Sequence, residues 1–150
     1  MAYRLACEMP ERLSAIAVVA GTMAVDRCIG ATGVSLLHIH GTNDQNVPLQ
    51  GGAGTMSAAR ANYPSVLNGI ALFQERNQCT LNTTVTQPAQ DTTCEVRTCG
   101  NREVVEFCTV SGGGHGWPGT DPARWQERNA VYVSPHFDAT GHIARFLLAQ

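Results

Sequence analysis

The sequence contains no lysine: all ten basic residues among its 150 are arginine. They are scattered, and against twelve acidic residues they leave a net charge of −2. With no basic cluster to hold a phosphate backbone, nucleic acid is not expected as a partner. Long apolar runs are missing as well. The longest are stretches such as AIAVVAG at 15–21, well short of the roughly 20 residues that span a bilayer. No membrane partner is expected. The opening MAYRLACEMPERL lacks a basic segment followed by a long apolar one, so it does not read as a signal peptide. It reads as the body of an amphipathic helix already under way. Finally, the six cysteines include no C-x-x-C pair. Zinc is therefore disfavoured, and disulfides formed in an oxidising compartment are expected, which means a secreted, extracellular or periplasmic protein.

What is present suffices for a core. Hydrophobic residues make up 43% of the chain and charged residues 15%, too apolar for a disordered tail. Residues 2–9 have helical spacing, and Pro10 stops them. Residues 15–20, AIAVVA, form an unbroken apolar run of strand length, as in a parallel sheet buried on both faces. A polar loop with Asp26, Arg27 and Cys28 follows. VSLLHI at 34–39 is a second buried strand, ending in the turn-rich HGTNDQNVP. GGAG at 51–54 reads as a loop. The spacing of Val66, Ile70, Phe73 and Asn77 predicts a helix over 64–77. Residues 79–92, rich in Thr, Gln and Asn, read as loop. CEVRTC and EVVEFCTV flank Gly100, Asn101 and Arg102, which signals a β-hairpin. SGGGHGWPG follows as an irregular loop, and 137–149 closes the chain as a helix. There is no internal repeat. This alternation of helices and strands argues for an α/β sheet with helices on its faces.

Two loops carry the chemistry, each directly after an expected strand. The first holds Asp44 and the second His115. Functional side chains gather at the carboxyl ends of strands in open α/β sheets. An acid followed later by a histidine matches the last two members of a Ser, Asp, His order. Taken singly, each has a plainer reading. A histidine in a glycine-rich loop is ordinarily just polar, and Asp44 could serve an Asx turn, although Asn43 could fill that role. His38 and His40 alternate on one strand and so share a face. A metal pair or a buried, hydrogen-bonded pair would fit, the second more simply. His136 and His142 flank the last helix and read as surface residues.

The strings HIHGTNDQNVP and SGGGHGWPG resemble those of the secreted polyhydroxyalkanoate depolymerase and feruloyl esterase family. MAYRLACEMPERLSAIAVVAGT, LFQERNQC and FDATGHIARFLLAQ resemble further segments of it, so the likeness runs along essentially the whole chain. It implies an α/β-hydrolase-type, mostly parallel sheet with helices on both faces, plus a β-hairpin. It implies a catalytic Asp44 and His115, with Trp117 and Phe73 bordering the substrate. Phe73 stands where many relatives carry Trp, and Trp117 could instead pack under its own loop. The family's G-x-S-x-G nucleophile elbow occurs nowhere in residues 1–150. The expectation is therefore an incomplete domain, the C-terminal part of one catalytic unit, whose partner is the missing N-terminal part of the same fold.

The implied reaction is carboxylic ester hydrolysis. Its substrate would be a hydroxyalkanoate polyester or oligomer, or a feruloyl or acetyl ester of plant polysaccharide. No cofactor is implied. Two other classes compete: a non-catalytic polymer- or carbohydrate-binding module stapled by disulfides, and a metal-dependent hydrolase using His38, His40 and Asp44. Six cysteines allow fifteen connectivities. Counting outward from the hairpin turn sets Cys94 opposite Cys108, about 4.5 Å apart at Cα in a pair without direct hydrogen bonds. Cys79–Cys99 and Cys7–Cys28 rest partly on the resemblance.

Overall fold

A computed structural model describes residues 1–25, 27–59, 61–100 and 102–150. Asp26, named above in a loop, and Asn101 of the hairpin turn lie outside the described residues. The chain opens with helix α1 (Ala2–Glu8), ended at Pro10, whose ring cannot continue an α-helix and begins a short 3₁₀ turn to Arg12. Strands β1 (Ala15–Val19) and β2 (Ser35–Gly41) follow. Next come two short strands, β3 (Gly52–Ala53) and β4 (Asn62–Tyr63), paired with each other. Helix α2 (Val66–Arg76) leads to β5 (Thr84–Ala89), β6 (Thr92–Thr98) and β7 (Val104–Val110). Helices α3 (Arg124–Arg128) and α4 (Ala139–Leu148) complete the chain.

The main sheet has the order β1-β2-β7-β6-β5. The pairs β1–β2 and β2–β7 are parallel, and β7–β6 and β6–β5 are antiparallel. This corrects the expectation of a mostly parallel α/β-hydrolase-type sheet with helices along both faces. The sheet is mixed, and its helices are few and confined to β1, β2 and β7. Part of the reason is β5, expected to be loop. Its residues lie exposed on both faces, so no apolar alternation marks them. Threonine and valine favour the pleated backbone all the same, and Pro88 is tolerated at an edge beside an irregularity between Thr86 and Ala89. β1 also departs from expectation. It is a half-buried edge strand, whereas β2, between two neighbours, is buried throughout.

Residues alternate across β2. Leu36 joins Tyr3, Val66, Ile70, Phe73 and Val105 on the face covered by α1 and α2. Leu37 and Ile39 join Val110, Phe137 and Phe146 on the face covered by α4. Burying each such large side chain stabilises by about 1.5–3 kcal/mol. Three disulfides crosslink the fold: Cys7–Cys28, Cys79–Cys99 and, wholly buried, Cys94–Cys108. These are the three pairs expected, and Cys94 does lie opposite Cys108 in the hairpin register.

Candidate active site

β2 and β7 are parallel neighbours, so the loops after them leave the same end of the sheet. Backbone bonds join these loops. The Thr42 N–H donates to the Val110 carbonyl at 3.0 Å, and the Asn43 N–H to the Gly113 carbonyl at 2.8 Å. This places Asp44 beside His115. The two side chains meet at 3.0 Å, His115 Nδ1 to Asp44 Oδ2. The Asp44 side chain is fully buried, while that of His115 is 35% exposed.

Asp44 uses its oxygens separately. Oδ1 accepts the backbone N–H groups of Asn46 and Val47, each at 2.9 Å. The Asx turn considered for this loop is thus made by Asp44 itself, and Oδ2 remains for the histidine. The glycines flanking His115 serve close packing rather than a left-handed turn. Val131 stands where a Cβ on Gly114 would be, and Val133 where one on Gly116 would be. The segment carrying those valines straps the histidine loop. The Gly114 N–H donates to the Tyr132 carbonyl at 2.8 Å, and Gln126 Nε2 donates to the His115 carbonyl at 2.7 Å. Around the imidazole, Asn43, Asn46, Met56 and Tyr132 shape a small cleft.

Three residues behind the site extend it inward. Tyr3 Oη lies 2.6 Å from His38 Nδ1, His38 Nε2 lies 3.0 Å from His40 Nδ1, and His40 Nε2 lies 2.9 Å from the Val47 carbonyl and 3.5 Å from Asp44 Oδ2. His38 and His40 are thus the buried, hydrogen-bonded pair. Their ring nitrogens are all engaged, which leaves no lone pair for a metal shared with Asp44. Burial, aided by the neighbouring His40, pushes the His38 pKa down to about 3. Burial also lowers that of His40, and His115 adds to the effect, against the opposing pull of the Val47 bond and the Asp44 charge. Burial raises that of Tyr3.

A scan against models of known protein families finds no match to this chain. A search of curated proteins finds none either. The reading of this site therefore rests on its own geometry and on the motifs.

Other expected site residues fall differently. Trp117 is 43% exposed, its indole N–H donating to Thr140 Oγ1 at 2.9 Å beside the start of α4. Phe73, expected at the substrate wall, is corrected. It is wholly buried under α1, edge-on to Tyr3, and offers no surface to a ligand. His142, expected on the surface, is largely buried, with Nε2 2.7 Å from Glu106 Oε1. It lies near Cys94 and Cys108, whose sulfurs are joined to each other. His136 is exposed, as expected. Among the described residues no serine hydroxyl is hydrogen-bonded to His115, and no helix is long and apolar enough to cross a membrane.

Sequence reasoning missed Gln126 and Tyr3. Gln126 had a faint signal. It stands three residues after Ala123, behind Pro122, in the position of a capping-box residue, and its side chain does accept the Ala123 N–H. Tyr3 had none beyond its place on an apolar helix face.

Proposed function

We propose that Asp44 and His115 are the acid and base of a serine-type carboxylic ester hydrolase, related to the secreted polyhydroxyalkanoate depolymerases and feruloyl esterases. The nucleophilic serine comes from a segment outside residues 1–150. The observation that carries this reading is the 3.0 Å bond between a buried carboxylate and a part-exposed imidazole at the mouth of a cleft. With Nδ1–H donated to Asp44, the His115 lone pair is on Nε2. That nitrogen takes the serine proton as the hydroxyl oxygen attacks the ester carbonyl. The same proton then passes to the departing alcohol as its C–O bond breaks, leaving an acyl-serine. Water, deprotonated in the same way, releases the acid and restores the serine. Asp44 stabilises the imidazolium formed in each half.

The substrate is an ester of a hydroxyalkanoate polymer or oligomer, or a feruloyl or acetyl ester on plant polysaccharide. Trp117, held by Thr140, offers an apolar surface to either. The three disulfides support an oxidising, secreted setting.

The test is covalent labelling by a serine-directed phosphonate. The chain extended upstream in frame is expected to label at one serine, and to lose labelling when His115 is replaced by Asn. An extended chain that binds polyester or polysaccharide but neither labels nor turns over ester would replace this reading with that of a binding module.

A further inference from the structure

The buried row behind Asp44 has a direction, and elementary hydrogen-bond chemistry fixes it. The Val47 carbonyl can only accept, so His40 Nε2, 2.9 Å away, carries a hydrogen. His40 is neutral, because burial disfavours its charged form. Its Nδ1 is therefore bare, and must accept from His38 Nε2 at 3.0 Å. His38 is neutral for the same reason. Its own Nδ1 is then bare and accepts from the Tyr3 hydroxyl at 2.6 Å. Reversing any ring sets two lone pairs, or two N–H groups, against each other at hydrogen-bond distance. The row thus runs one way, from Tyr3 to the loop of Asp44.

Its far end grips that loop at one residue. The carbonyl of Val47 is held by His40, while the N–H of Val47 is held by Asp44 Oδ1. His40 Nε2 also faces Asp44 Oδ2 at 3.5 Å. With Oδ1 committed to two backbone donors, Oδ2 is the oxygen turned to His115.

We infer that Tyr3, His38 and His40 form a one-directional hydrogen-bond chain that positions Asp44 and, through it, holds His115 in the tautomer with a bare Nε2. These are positioning residues, since His40 reaches His115 through the carboxylate. The purpose assigned to the chain rests on the ester-hydrolase reading above; its direction does not.

The test is two-bond proton–nitrogen correlation of the chain labelled with ¹⁵N-histidine, at pH 7, which reports where each ring carries its proton. In the unaltered protein His38 and His40 are expected as neutral Nε2–H tautomers and His115 with its hydrogen on Nδ1. His40 found with its hydrogen on Nδ1, or charged, overturns the relay while leaving the Asp44–His115 pair standing. His115 found as Nε2–H beside the expected His40 instead sinks the acid–base pair, and the coupling with it. Tyr3→Phe, which removes the donor and keeps the ring, is expected to raise the His115 Nε2–H population roughly threefold to tenfold, the effect of one lost neutral hydrogen bond. His38→Leu should do the same. His38→Gln, whose amide N–H can still donate to His40 Nδ1, should restore the parent pattern. If Leu and Gln lower stability alike and neither shifts the His115 tautomer, the row is structural filler and the inference fails.

Discussion

Asp44 shows how one side chain can satisfy a local need and a distant one together. One oxygen closes the turn after β2, and the other meets an imidazole from a loop 71 residues later. The two roles predict different mutants. Asp44→Ala leaves the buried N–H of Val47 and the part-buried N–H of Asn46 without their acceptor, and should lower unfolding free energy by about 2–4 kcal/mol in urea titration. Asp44→Asn keeps an oxygen for the turn but can set an amide N–H against His115 Nδ1. It should cost well under half as much stability while reversing the His115 tautomer. The buried histidines predict a pH effect whose sign follows from linkage. His38 titrates near 6.5 when unfolded and near 3 when folded, so between those values the unfolded chain binds the extra proton. Stability contributed by a neutral His38 is whole above about pH 6.5 and falls on acidification at about 1.4 kcal/mol per pH unit. Unfolding free energies from urea titration should carry a loss of about 2 kcal/mol from His38 between pH 7 and 5, and His38→Gln should remove that share. A slope unchanged by that substitution would mean His38 is not the proton acceptor. Much of this scale was legible in the sequence. The alternation of His38 and His40 along an apolar run is enough to put both on one face, and HGTNDQNVP announces its turn. Phe73 misled because its place at the substrate wall rested on the resemblance alone; its helical spacing with Val66 and Ile70 is that of the apolar core stripe it joins.

At the scale of elements, legibility followed burial. β2 is sandwiched between two strands and two helical layers, so its sequence is apolar apart from Ser35 at its start and the paired histidines. α2 shows its buried stripe at helical spacing. β5 buries almost nothing and carries no pattern, and the two-residue strands β3 and β4 are too short for one. Helix α2 also ends in a device that sequence alone would pass over. Asn77 is 4% exposed, its carbonyl oxygen accepting the Gly33 N–H at 2.7 Å and its amide donating to the Val34 and Phe73 carbonyls, each at 3.1 Å. It ties the helix end to the start of β2. Asn77→Ala should destabilise the protein by about 2–4 kcal/mol, since it strands buried backbone groups as well as losing bonds. A change below about 0.5 kcal/mol would show that water reaches those groups.

Across the whole molecule, the hidden property was the extent of the sheet rather than the direction of its strands. The parallel β1–β2 pair and the antiparallel β6–β7 hairpin were expected, whereas exposed β5, which adds a second antiparallel pair and makes the sheet mixed, left no apolar pattern to read. The mixed sheet has a consequence at its β1 end. β1 is an edge, with Ala15, Ala17, Val18 and Val19 only partly covered, and an open apolar edge is a template for pairing with another chain. Residues 1–150 by themselves are expected to self-associate. In sedimentation or light scattering the apparent mass should rise with concentration, and a charged substitution such as Val18→Lys should reduce that rise. A monomer with a sharp, reversible thermal transition would count against the idea.

The account turns on whether the buried carboxylate and the imidazole beside it move a proton during ester cleavage. The direct measurement is kcat for hydrolysis of a soluble aryl ester by a protein in which the proposed serine-bearing segment is joined to residues 1–150, with and without Asp44→Asn. Loss of the charge and of the correct imidazole tautomer should lower kcat by about three to four orders of magnitude. A variant within about threefold of the parent would contradict the account, because the 3.0 Å contact would then be a feature of the fold and not of the reaction.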